Sequence, residues 1–292
     1  LRRRWEARAH QRGLCDRKTR YDERGNNTSR AFFGVDGKPI LTKYSFASGK
    51  LTFDERGNIT STAYFGVDGK PVLNKDGYAS FQSTYDARGS ITSTGLFGID
   101  GKPTLHKNGF ASFQNTYDER GNRTSTAYFG VDGKPVLNKD GYASYRATFD
   151  ERGNETSTAF FGLDGKPVLH KDGYASWKDT FDERGNITST AWFGIDGKPM
   201  LHRDGYASFQ STFDERGNIT STAYFGINEQ PVLHKDGIAS WKDTFDARGN
   251  NTSRAYFGVD GKPVLHKEGY ASWKATFDAR GNNTSTAYFG VD

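Results

Sequence analysis

Polar and apolar residues alternate with a step of two along most of this chain. In "YASFQSTY" (78–85), Ala79, Phe81, Ser83 and Tyr85 fall on one face and Tyr78, Ser80, Gln82 and Thr84 on the other. In "ITSTAYFG" (59–66), Ser61, Ala63 and Phe65 oppose Thr60, Thr62 and Tyr64. Alternation of this kind predicts half-buried strands, and no stretch shows the 3.6-residue period of a helix. Thr, Tyr, Phe and Val also suit a pleated surface. "PVLNK" (71–75) predicts a shorter third strand around Leu73. The apolar positions Phe65, Leu73, Phe81, Tyr85, Phe97 and Phe129 are the expected core.

The segments between these runs carry turn chemistry. "DERGN" puts Asp54 at the head of a turn and Gly57 three residues on, with Gly121 in the same place downstream. This is the arrangement of a type I turn closed by a left-handed Gly bulge. "VDGK" supplies Asp68-Gly69, repeated at Gly133, and Asp-Gly is a strong short-hairpin signal. Asn228-Glu229 stands where the other copies have Asp-Gly. Glu resists positive φ, so that turn is expected to take another form.

The pattern repeats. Phe33, Phe65, Phe97 and their successors to Phe289 recur every 32 residues without insertion or deletion, giving nine copies. All eight prolines share one slot. A fixed period of this size marks a repeat architecture. The expected fold is all-β: an elongated tandem array of antiparallel hairpins in a spiral or extended sheet over 21–292. A β-solenoid with one coil per repeat is the alternative. Residues 1–20 read as a basic N-terminal cap or the end of a preceding domain, and the stop at Asp292 reads as a truncation within a repeat. Three strands per repeat would advance the sheet about 14 Å. They would also reverse direction an odd number of times, so that Phe65 and Phe97 would point to opposite faces. Either both faces are covered, or the KDG junction is a corner and the repeats add as two-stranded hairpins plus a linking strand.

"YDERGN" (21–26 and 117–122), with its Phe-started copies, resembles the YD motif of bacterial RHS/YD-repeat proteins. "FGVDGKP" is similar to the tandem hairpin repeats of WG-type proteins. The resemblance implies an antiparallel spiral sheet used on bacterial surfaces or as a casing, and no catalytic residues.

Charge narrows the partners. Residues 1–20 hold eight of the 40 basic and two of the 35 acidic groups, a net of +6. The rest holds 32 basic and 33 acidic groups, a net of −1, so no nucleic-acid groove is expected in the repeats. The hydrophobic fraction is 34%, but aromatics at 14% bury large areas each and sustain a thin core. No run is apolar enough to span a bilayer. A single Cys and a single Met offer no disulfide framework and suit an extracellular or cell-surface protein.

Candidate chemistry is sparse. His106, His170, His202, His234 and His266 share a slot with Asn74 and Asn138, which favours neutral hydrogen bonding over a metal ladder. The turn Asp residues cap backbone N–H groups rather than assemble a calcium site. Asn58, Asn122 and Asn186 head glycosylation sequons, but Asn after Gly also suits the turn. Thr60 and Thr62, Thr124 and Thr126, Thr188 and Thr190 form T-S-T runs, a candidate Thr ladder for an ice, glycan or polymer surface. No Ser/His/Asp arrangement, phosphate loop or cofactor motif occurs, so no enzyme is expected. The reading is a structural stalk or filament subunit that self-associates end to end, with a multivalent ligand-binding β-array as the alternative.

Overall fold

The computed structural model describes residues 16–291; the leader at 1–15 and Asp292 lie outside them. All regular structure among the described residues is β: eighteen strands of six or seven residues, forming nine antiparallel hairpins. They are β1 (Asp16–Tyr21), β2 (Asn27–Phe33), β3 (Ser48–Phe53), β4 (Ile59–Phe65), β5 (Ser80–Tyr85), β6 (Ile91–Phe97), β7 (Ser112–Tyr117), β8 (Arg123–Phe129), β9 (Ser144–Phe149), β10 (Glu155–Phe161), β11 (Ser176–Phe181), β12 (Ile187–Phe193), β13 (Ser208–Phe213), β14 (Ile219–Phe225), β15 (Ser240–Phe245), β16 (Asn251–Phe257), β17 (Ser272–Phe277) and β18 (Asn283–Phe289). They fall in two compact units, one of 16–145 with 162–165, the other of 146–161 with 166–291. In the first unit β1 to β8 pair in chain order, and in the second β10 to β18 do the same. Residues 16–20, assigned above to the leader, are the first strand of the first hairpin.

Each hairpin closes through "DERGN" or its equivalent. The Asp54 N–H donates to the Asn58 carbonyl at 3.0 Å and the Gly57 N–H to the Asp54 carbonyl at 3.1 Å. Gly57 sits at φ 87° and Gly121 at φ 90°, the left-handed region where a side chain is strained. A β-bulge follows, since Thr52 pairs with Ser61 but Phe53 with Ile59. The second connection is different in kind. Gly69, at φ 74°, closes a turn in which the Gly66 N–H donates to the Lys70 carbonyl at 2.8 Å. Pro71 then makes a single bridge to Phe65, and the Val72 N–H reaches the Tyr64 carbonyl at 3.1 Å. At Asn74 the chain turns again, and the Tyr64 N–H finds Ala79 at 2.8 Å.

The expected third strand is therefore a link. Proline brings no N–H to a ladder, and the turn at Asn74 leaves no room for a second bridge. Two strands per repeat advance the sheet about 9.6 Å rather than 14 Å. The even number also keeps Phe65 and Phe97 on one face, which removes the odd-reversal problem. The strands are antiparallel hairpin strands, not coils of a solenoid.

Pairing defines the two faces. Phe81 lies opposite Leu96 and Ser83 opposite Thr94; these make the inner face, which the links cover. Gln82 opposite Gly95 and Thr84 opposite Ser93 make the outer face. The deepest residues are small: Ala79, Ala111, Ala143, Ala175, Ala207 and Ala239 are at most 3% exposed. Each lies one residue before a strand and is bonded on both sides: the Ala79 N–H donates to the Phe97 carbonyl at 2.8 Å and the Ala79 carbonyl accepts the Tyr64 N–H at 2.8 Å. Phe65, Phe81, Tyr85, Phe97 and Phe129 are half-buried, and Phe65, Phe97 and Phe129 lie on the outer face. Leu73 is not in the core: it is 43% exposed, because its neighbours Val72 and Asn74 turn inward and leave it outward. Glu229 also departs from expectation. It takes φ 59°, and its N–H donates to the Gly226 carbonyl at 3.1 Å, so the turn keeps the form its Gly-bearing copies have.

Candidate binding face

Among the described residues the inner face carries a hydrogen-bonded polar pair in five hairpins, whereas Leu51 faces Thr62 and Ala275 faces Thr286 in others. Ser83 meets Thr94 at 2.8 Å, Thr126 donates to Asn115 at 2.8 Å, Thr190 donates to Asp179 at 2.6 Å and Ser211 meets Thr222 at 2.9 Å. In one hairpin this pair is ionic. Arg254 grips Asp243 with two bonds of 2.6 and 2.7 Å and lies 4.1 Å over the Trp241 ring. Asn251 adds a bond to Asp243 at 2.5 Å. Burial raises the Asp179 carboxyl above the usual range, Thr190 opposes the shift and Glu155 adds to it.

Under the links, aromatic rings and imidazoles stack from repeat to repeat. In the first unit Tyr64, Tyr78, His106, Phe110 and Tyr128 follow one another at 4.9–6.1 Å between centroids. In the second, Trp192 stacks on His202 at 4.9 Å and Tyr224 on His234 at 4.9 Å. Burial pushes the Tyr206 hydroxyl up to about 12 and lowers His106 and His234.

The His/Asn slot now has a physical explanation. Asn74 Oδ1 accepts the Asp76 N–H at 2.9 Å; His106 Nδ1 accepts the Asn108 N–H at 3.0 Å and His170 Nδ1 the Asp172 N–H at 3.2 Å. Both side chains supply one acceptor two residues upstream of a turn amide. This use fixes the proton on Nε2.

Rungs join one repeat to the next. The Arg56 guanidinium donates to the Ala87 carbonyl, Arg88 to Asp118 at 2.8 Å, Arg216 to the Ala247 carbonyl and Arg248 to Ala279 at 2.5 Å. At the other edge Lys107 meets Asp76 at 2.7 Å, Lys235 meets Asp204 at 2.8 Å and Lys267 meets Asp236 at 2.8 Å. The sequence reading missed these rungs. The invariant Arg of "DERGN" and "DARGN", spaced by the period, was the available signal.

The outer face repeats a cluster of hydroxyls. Thr52 bonds both Thr60 at 2.8 Å and Ser61 at 2.7 Å, and Thr116 bonds Thr124 and Ser125 at 2.9 and 2.7 Å. Thr180 does so with Thr188 and Ser189, both at 2.8 Å. The expected T-x-T ladder does not form. Thr62, Thr126 and Thr190 occupy the inner face, and Thr62 is 7% exposed. The bulge sets Thr60, Thr124 and Thr188 beside the following Ser on the outer face instead. Between β3 and β6 this face holds a shallow cleft of about 490 Å³, lined by Thr52, Thr60, Ser61, Gln82, Thr84 and Phe97, among others.

The turn residues are engaged locally. Asp54 Oδ1 accepts the N–H groups of Arg56 and Asn58, and Oδ2 accepts the Asn58 amide at 2.8 Å. Asn122 and Asn186 bond Asp118 and Asp182 in the same way, so the sequon amides are held inside the turn. The Asn side chain keeps the Asp54 carboxyl below its usual range. Asp68 Oδ1 accepts the Lys70 N–H at 3.0 Å. Among the described residues no group of three His, Cys, Asp or Glu side chains is placed to hold a metal ion.

These features define a tandem β-hairpin repeat protein. Solved structures share the fold. A crystal structure of TcdB2-TccC3-TEV matches 94% of this chain with a TM-score of 0.55 at 12% identity. One of TcdB2-TccC3-Cdc42 matches 96% at 13% identity with a TM-score of 0.38, and a Photorhabdus luminescens Tc holotoxin pore 93% at 10% with 0.27. The chain spans 12%, 15% and 17% of the length of those chains. At these identities the likeness is one of fold, carried among these three by the TcdB2-TccC3-TEV structure with its TM-score of 0.55. The hairpin array is consistent with RHS-like repeats. No protein-family model matches the chain. No curated protein matches it either.

Proposed function

We propose that the chain is a structural and interaction repeat protein, a stalk or filament subunit on or outside a bacterial cell. One observation carries this reading: the same rungs recur from repeat to repeat, Arg to backbone carbonyl at one edge and Lys to Asp at the other. Such a pattern specifies the stacking of like units. It also supports end-to-end self-association, because the donors of one copy match the acceptors of another. The reading is non-enzymatic, since near-identical copies would dilute any single active centre. The resemblance of "YDERGN" to the YD motif of bacterial repeat proteins and the scarcity of Cys and Met support a bacterial, external setting. Electron microscopy and sedimentation of the intact source protein, with protease shaving of its cells, test it. Rods or fibres and loss of the protein on shaving are expected. Monodisperse globules, or complete protection from protease, overturn it.

A second reading is favoured by the outer-face hydroxyl clusters, which recur in each hairpin from Thr52 to Thr276. Rows of hydroxyls beside exposed Gln82 and the Phe97 ring suit a glycan or another polyhydroxy polymer bound multivalently. Thr→Val at Thr52, Thr84, Thr116, Thr148, Thr180, Thr212, Thr244 and Thr276 together should abolish retention on such a polymer, and Thr52→Val with Thr84→Val alone should weaken it; unchanged retention of the full set refutes this reading.

A further inference from the structure

Two slots of each link are apolar, exposed and invariant in character. Val35, Val67, Ile99 and Val131 are 81%, 52%, 62% and 53% exposed. Six residues further on, Leu41, Leu73, Leu105 and Leu137 are 53%, 43%, 48% and 43% exposed. The second unit keeps the pattern with Ile195, Ile227 and Val259, and with Leu201, Leu233 and Leu265. Other exposed slots drift: Lys50, Gln82, Gln114 and Arg146 occupy one position. Scattered exposed apolar residues are ordinary, but two periodic rows that never become polar mark a covered surface.

We propose that these rows are an interface between two copies of this chain, laid side by side with Leu row against Leu row. The spacing selects the occupant. A partner must present apolar groups about every 9.6 Å to meet successive repeats, and a second copy does so by construction. Charge fits as well. Every such turn but the one at 227–230, which has Glu229 and Gln230, carries one acid and one base: Asp132 and Lys134 are 3.9 Å apart with side chains 58% and 82% exposed, and Asp260 and Lys262 are 3.8 Å apart and 56% and 82% exposed. Two copies related by a twofold axis place the Asp of one turn near the Lys of the other. The repeat body, at net −1, presents no long-range repulsion. A twofold contact of this kind closes at the dimer, whereas end-to-end contacts grow without limit. This interface goes beyond the proposed stalk function and does not depend on where the protein resides.

The test uses the full chain in a Cys15→Ser background. Leu105→Cys should give a covalent dimer with a short bismaleimide, while the outer-face control Gln82→Cys should not. In sedimentation the parent should dimerise with concentration, and the triple variant Leu73→Lys, Leu105→Lys, Leu137→Lys should lose the dimer with its circular dichroism unchanged, since these side chains are already about half in water. A parent monomeric throughout, a triple variant that still dimerises, or equal cross-linking at Gln82→Cys overturns the proposal. If the triple variant misfolds, the two cross-linking variants decide. Fibres that fail to cross-link at Leu105→Cys support end-to-end growth and refute this interface.

Discussion

Arg254→Thr is the sharpest single perturbation the chain offers. It removes two bonds, of 2.6 and 2.7 Å, from a carboxylate whose side chain is 2% exposed. Breaking one side of a buried ion pair costs about 3–5 kcal/mol. The new Thr returns one hydrogen bond, as Thr190 gives Asp179, worth about 1 kcal/mol. Asn251 keeps its own bond to Asp243. The expected net loss is about 2–4 kcal/mol at neutral pH. The loss should depend on pH. Asp179, in the matching position without an Arg, has its pKa raised chiefly by burial. A carboxyl raised in the folded state destabilises once ionised, so the penalty builds as pH rises from the unfolded pKa to the folded one and is complete above it. Acidification should therefore relieve the Arg254→Thr defect. Asp243→Ser with Arg254→Thr recreates the Ser211–Thr222 pair and should come within about 1–2 kcal/mol of the parent, the remainder being the lost contact with Trp241 and the lost Asn251 bond. Native-state hydrogen exchange of amides in β15 and β16, with β11 and β12 as internal reference, reads all three variants. Additive losses in the double variant would refute the coupling.

Glu229→Gly should stabilise its turn by up to about 1 kcal/mol, by relieving a left-handed backbone at φ 59°, and slow exchange around Gly226 checks it. Gly121→Val should cost at least about 1–2 kcal/mol from backbone strain at φ 90°, since an added Cβ would meet no neighbour; exchange should rise in β7 and β8 and not in β3 and β4. The turn carboxylates Asp54, Asp118 and Asp182 are held low, first by the Asn side chain four residues on, so their stabilisation is full above the unfolded value near 3.8 and is lost as pH falls through the lower folded values. Carboxyl carbon NMR titration should show this, and Asn58→Ala should move Asp54 up towards the unperturbed value.

Much of the fold was legible because its determinants are local. The period, the Gly at each bulge and the Asp at each turn follow from backbone sterics and short-range hydrogen bonds, and the structure places Gly57, Gly69, Asp54 and Asp68 in those roles. What failed depended on non-local facts. "PVLNK" has strand composition, but Pro71 lacks the N–H for a second ladder bond, so Leu73 went outward. The alternation Thr60–Thr62 is real in sequence, yet one bulge residue divides the two between faces. Glu229 shows the reverse: the repeats on either side impose a conformation its own preference opposes. The Asp243–Arg254 pair was invisible because its members are eleven residues apart and meet only across a hairpin.

The Arg rungs end on main-chain carbonyls, at Glu55 and Ala279 alike. Every residue owns such an acceptor, so the bond asks nothing of the side chain it reaches. A repeat can be duplicated or lost by recombination and its neighbours will still join, with no second mutation to restore the seam. Array length is thus a heritable variable that selection can adjust in whole-repeat steps, independently of what each repeat displays.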